Sequence, residues 1–290
     1  MRIKKNISQK ELYQGIISKS YAIRFEQGKH EISFFLLKQI LDRLPMAIDE
    51  FLYIYNDFQE SETEQFYTIY GKYSNSNNIQ GLIHLRKEIE KKQILTPIDQ
   101  LKIAEISARI DQLESYEQTG RYSKKAINNE SLTTITNYLA TIQTWTLEEL
   151  RFFANTLDYV DYEEKVLYFN ILLQSIDRYA SFNRGKNVIC TLLVNEIYEL
   201  LLSMELSYAE ILMQKLWIFT EEAGELFFRN FYHYYKGLLL IAKEDNQQGE
   251  TMVQQAIKTL DVLGHQHLAK LLTTISEDFH TNLKNTQAND

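Results

Sequence analysis

The sequence predicts an all-α protein built from a small helical head and a long-helix body, and three observations predict it. Only 10 Gly and 2 Pro occur among 290 residues, too little turn chemistry for the many tight connections of a β fold. Apolar residues make up 44% of the chain, enough for sizeable cores at a length that suggests two domains. Long periodic stretches are separated by short clusters of capping and stop residues rather than by flexible linkers.

Several classes drop out at once. No run approaches the roughly 18 consecutive apolar residues of a membrane span. The first twenty positions carry Arg2, Lys4, Lys5, Lys10 and Lys19, with no signal-peptide core, so the chain is expected to be cytoplasmic. A lone Cys190 provides neither a disulfide nor a zinc cage. Phosphate-loop, nucleophile-elbow, zinc-protease and dinucleotide motifs are missing, so no enzyme, cofactor or metal is expected.

The head, residues 1–58, begins with Ser8, an N-cap whose partner in a capping box is Glu11. A second helix starts at Ser18 or Ser20 and stops at Gly28, with only Gly15, Ile16 and Ile17 between the two. So tight a turn makes two short helices cross steeply and present the second outward, as in a helix-turn-helix. Ser33 caps a third helix that Pro45 ends, and Asp49 to Phe58 supply a fourth. On the second helix Ala22 and Phe25 turn inward with Leu12 and Ile16, which leaves Lys19, Ser20 and Arg24 outside.

Charge supports a polyanion partner for this head. Residues 1–44 hold nine Lys and Arg against four Asp and Glu, a net of +5, while the remaining chain holds 22 against 35. A cationic head on an anionic body is the electrostatic footprint of DNA binding. Ser18, Lys19, Ser20 and Arg24 are the candidate groove readers, Arg24 by a bidentate guanine contact. Gln9 is placed for phosphate, and Lys29 for the sugar-phosphate backbone beside it. The alternative for these side chains is a solvated helix face.

The body, residues 59–290, reads as eleven helices: 61–74, 78–93, 96–115, 126–143, 146–160, 162–182, 186–204, 207–222, 225–244, 247–263 and 265–284. Their connections carry Thr96-Pro97, Gly120, Thr146 with Glu149, Gly185, Ser207, Gly224 and Gly264. Gly237, Gly249 and Ala256 repeat the small-residue spacing of a tetratricopeptide helical hairpin, with an echo around Ala209. The body is therefore expected to be a TPR-like right-handed superhelix, against a plain helical bundle.

The segments Ser8-Gln9-Lys10-Glu11-Leu12, Ile16 to Tyr21, Arg24 to Lys29, Ile32-Ser33, Leu41 to Leu44 and Asp49-Glu50-Phe51 resemble the Rgg family of bacterial regulators. In the body the resemblance is one of architecture and length. It implies an XRE-type helix-turn-helix on promoter DNA, a TPR-like domain that binds a short imported signalling peptide in quorum sensing, and a homodimer. XRE-type domains open with a helix of about a dozen residues, whereas seven residues precede Ser8 here. Either the true start lies upstream of Met1 or the first helix is truncated here, and if it is missing Leu12, Phe25 and Leu36 are expected to lose apolar cover.

A hairpin solenoid has a concave face on which Asn side chains hold a peptide backbone and aromatic rings cover its apolar groups. Asn187, Cys190 or Thr191, Val194, Asn195 and Tyr198 form one stripe, and Arg229, Asn230, His233 and Tyr234 form another. The peptide-binding candidates are thus Arg178, Asn187, Asn195, Tyr198, Arg229, Asn230 and Tyr234, with Arg178 or Arg229 for a peptide carboxylate. Trp145 is expected to staple the helix after Thr146. Residues Asp158, Asp161, Glu163 and Glu164 are expected to be solvated caps. The alternative for the whole chain is a TPR-like protein scaffold with a vestigial head.

Overall fold

Serine caps order the head. In the computed structural model, which describes residues 2–120 and 122–287, Ser8, Ser18 and Ser33 each accept a backbone N–H three residues on. They start α1 (Gln9–Tyr13), α2 (Lys19–Glu26) and α3 (Phe34–Leu41), and α4 (Ile48–Tyr55) follows. At Ser8 the capping box closes, with the Ser8 N–H donating to Glu11 Oε2 at 2.7 Å. Gly15, at φ +81°, takes the left-handed backbone that reverses the chain between α1 and α2.

The head has its own core. Leu12, Tyr13, Ala22 and Ile40 are buried, with Ile7, Ile16, Ile17, Phe25, Ile32 and Leu44 packed around them. A single 3-10 turn, Ile3–Lys5, precedes α1. Leu12 is 2% exposed, so it keeps its apolar cover, while Phe25 and Leu36 are half-buried.

Past residue 60 each expected helix has a counterpart. These are α5 (Glu62–Asn75), α6 (Ile79–Glu90), α7 (Pro97–Thr119), α8 (Asn129–Thr141), α9 (Leu147–Thr156), α10 (Tyr162–Ile176), α11 (Asn183–Leu202), α12 (Leu206–Phe219), α13 (Leu226–Ala242), α14 (Asn246–Val262) and α15 (Gln266–Gln287). The largest difference lies after α10, where a 3-10 turn, Asp177–Tyr179, stands in place of further α-helix. By internal contacts the chain divides into residues 1–85 and 86–290, which groups α5 and the start of α6 with the head.

The second unit has one continuous core, from Ala104 on α7 to Phe279 on α15. Within it α9 and α13 pack against α11, and α12 forms a hairpin with it. The hairpin α13–α14 is the tightest: a Cβ on Gly249 would lie 2.6 Å from the Gly237 carbonyl oxygen. The small residues expected from the sequence therefore mark a true close approach. Ala209 and Ala256 are buried at the same kind of position. Trp145 is 2% exposed against Phe153 and Tyr168, a core residue as its place before the Thr146 cap suggests. Among the described residues no helix is long and apolar enough to cross a membrane.

Candidate nucleic-acid interface and guest groove

The outer face of α2 carries Lys19, Ser20 and Arg24, all exposed, opposite Ala22 at 1% exposure and half-buried Phe25. Lys29 is exposed just past the helix. Among the described residues Lys19, Arg24 and Lys29 enter no ion pair, so their charges face solvent. Ser18 is the N-cap: its Oγ accepts from the Tyr21 N–H at 3.3 Å and lies 3.2 Å from Ser20 Oγ.

Gln9 is engaged by the protein itself. Its side-chain N–H donates to Glu26 Oε2 at 2.6 Å, rather than standing free for a phosphate. Glu26 also accepts from Arg2 and from the Tyr13 hydroxyl. Hydrogen bonds from Arg2 above all hold the Glu26 carboxyl down at about 2, so it stays ionised at neutral pH. Burial, reinforced by Glu26, pushes the Tyr13 hydroxyl up to about 12. Arg43 closes the arrangement by donating to the carbonyls of Leu12 at 3.1 Å and Gln14 at 2.7 Å, which completes the end of α1. Neither Arg2 nor Arg43 is among the residues singled out from sequence, because each acts on a partner more than twenty positions away.

In the second unit α11 has one narrow exposed stripe. Asn187, Thr191 and Asn195 face solvent at i, i+4 and i+8, and Tyr198 is half-buried at i+11. The intervening Val188, Ile189, Cys190, Leu192, Leu193 and Val194 are buried. Helix α9 borders the stripe through Asn195, whose N–H donates to Ala154 O at 3.4 Å. On the other side α13 holds α11 through the Tyr235 hydroxyl, bonded to Val194 O at 3.1 Å. Burial pushes the Tyr198 hydroxyl up to about 12, so it is a neutral donor and acceptor at physiological pH. Burial likewise drives the Cys190 thiol to about 12, which leaves it inert and outside the stripe.

Three of the expected guest contacts are taken up by the fold. Tyr234 is fully buried and its hydroxyl donates to Leu272 O at 2.5 Å, tying α13 to α15. Asn230 donates to Ala256 O at 3.0 Å, a tie between α13 and α14. Arg229 lies 3.6 Å over the Trp217 ring and donates to the carbonyls of Trp217 and Thr220, where it finishes α12. The reason is common to all three: α13 is enclosed by α11, α12 and α14, so its polar side chains find helix-end and neighbouring carbonyls first. Arg178 is exposed on the turn after α10.

Comparison with known proteins places this geometry. Residues 82–274 match the profile described as HTH-type transcriptional regulator Rgg, C-terminal domain, and residues 1–51 match a helix-turn-helix profile. A crystal structure from Listeria monocytogenes EGD-e, described as a candidate transcriptional regulator, is similar with 32% identity and a TM-score of 0.86, covering 96% of this chain and 94% of that one. The SHP pheromone receptor Rgg2 of Streptococcus dysgalactiae shares the fold at 20% identity, with a TM-score of 0.71 and 97% coverage of both chains. PrgX in complex with cCF10 shares it at 18% identity, with a TM-score of 0.69 and 96% coverage of both. No curated protein sequence matches it significantly. With its helix-turn-helix head and a matching domain over most of the body, the chain belongs to the Rgg family of HTH-type transcriptional regulators.

Proposed function

We propose that this regulator binds promoter DNA as a cytoplasmic homodimer through residues 1–58 and is controlled by a short imported signalling peptide held by residues 59–290. Its DNA-reading residues are Lys19, Ser20 and Arg24 on α2, with Lys29 on the adjoining backbone and Ser18 as cap. Two heads reading two half-sites about 34–36 Å apart require two-fold symmetry. The guest lies along the α11 stripe, where Asn187 and Asn195 pair with its backbone, Tyr198 covers an apolar group and Arg178 meets a carboxylate. To switch the protein, the peptide must bind two arrangements of the dimer with different affinity.

The observation that carries this reading is the polar stripe Asn187, Thr191 and Asn195 on α11, open to solvent while the residues between them, Val188 to Cys190 and Leu192 to Val194, are buried. The fold shared with Rgg2 and with PrgX bound to cCF10 supports it. The test is calorimetric titration of the full chain with synthetic short apolar peptides, alongside affinity for a selected duplex. Heat of binding together with altered duplex affinity is expected. Peptide-independent duplex binding and no heat across the panel counts against it.

A further inference from the structure

Phe34 and Phe35 are each 68% exposed, two adjacent phenyl rings standing in solvent. They occupy the first turn of α3, whose last turn delivers Ile40 to the head core. The chain between α2 and α3 doubles back. The Tyr21 hydroxyl donates to Glu31 O at 2.5 Å, and the Tyr21 and His30 rings stack at 5.2 Å. The start of α3 therefore stands beside the amino-terminal half of α2, the half that enters the major groove in a helix-turn-helix. Charge around it is net positive: Lys19, Arg24, Lys29 and Lys38 against Glu31 and Asp42, all exposed. A second copy docked there would bring these cations onto themselves, whereas a duplex brings phosphates.

We propose that Phe34 and Phe35 form an apolar flank of the DNA interface, seated against the carbon surface of the duplex, either thymine C5-methyl groups or deoxyribose faces. This rests on α2 being the groove-reading helix. Apolar contact with the thymine methyl is an established mode of base readout, and it releases no counterion.

The experiment uses the full chain and a duplex that the wild type selects from a random-sequence pool. F34A/F35A is expected to bind it about tenfold more weakly with the same slope of log affinity against log salt. F34L/F35L should recover most of the loss. Replacing thymine by uracil weakens wild-type binding but not that of F34A/F35A when the methyls are the partners, and leaves both unchanged when deoxyribose is. Affinity of F34A/F35A within twofold of wild type overturns the proposal. So does a double variant that sediments as a monomer where the wild type is a dimer, since the rings then belong to a second copy. Arg24→Ala separates the two levels. If it weakens binding and F34A/F35A does not, only the flank fails; if the wild type selects no duplex, the reading of α2 fails with it.

Discussion

Arg2 and Glu26, twenty-four residues apart, form a bidentate ion pair, Nε to Oε1 at 2.5 Å and Nη2 to Oε2 at 3.0 Å. Because Gln9 and Tyr13 donate to the same carboxylate, this pair fastens the last turn of α2 to the start and end of α1. The packing of α2 on α1 thus runs through one carboxylate.

That charge has a pH signature. The carboxyl of Glu26 falls from its ordinary 4.5 to about 2 in the fold, so its contribution is full above pH 4.5 and is lost as pH drops toward 2. Glu26→Gln should cost the head about 1 kcal/mol at neutral pH, a figure discounted for solvent exposure, and should flatten its acid transition. Thermal melts from pH 7 down to 2 measure both effects.

Glu105 on α7 has the opposite sign. It is fully buried, its Oε1 accepts from Asn155 at 2.8 Å, and burial raises its carboxyl to about 8. The folded state holds a proton that the unfolded chain gives up, so stability is full below pH 4.5 and declines as pH rises through 8. Glu105→Gln keeps the volume and the acceptor, and should raise stability at pH 9 by about 2 kcal/mol while changing little at pH 5. Denaturant titrations at the two values check it.

Gly249 tests the hairpin. The Gly237 carbonyl oxygen and Ile241 Cγ1 both lie 2.6 Å from where a Cβ would sit, so Gly249→Ala must push α13 and α14 apart. A loss of about 2–3 kcal/mol is expected by denaturant titration, in the range of overpacked cores. Gly224→Ala, where a Cβ meets nothing within 4 Å, serves as the control.

Guest binding and stability should separate between two side chains. Asn187→Ala, on the exposed stripe, should weaken peptide affinity in calorimetry and leave the melting temperature within the range of surface substitutions. Tyr234→Phe should do the reverse: losing the buried hydrogen bond to the Leu272 carbonyl costs about 1 kcal/mol of stability and peptide affinity stays as it was.

Readout at DNA has its own division. Arg24→Ala should relax base preference at one position by about 1–3 kcal/mol, whereas Lys29→Ala should weaken all duplexes alike and reduce the salt slope by about 0.9. Fluorescence anisotropy across a salt series and a set of single-base variants distinguishes them.

Everything local was readable from residue order: the Ser8, Ser18 and Ser33 caps, the helices of the body, the small residues at Gly237 and Gly249, and the cationic outer face of α2. Caps act over three positions and helical faces repeat every three or four, so short windows contain the whole interaction. The tertiary structure alone decided which polar side chains were left for a partner. Periodicity put Tyr234 and Asn187 on comparable stripes, yet the Tyr234 hydroxyl closes its hydrogen bond inside the fold, while the edge of α11 that carries Asn187 stays open. Gln9 went to Glu26 for the same reason: a buried or half-buried donor takes the nearest acceptor, and nearness across a span of many residues exists only once the chain is folded.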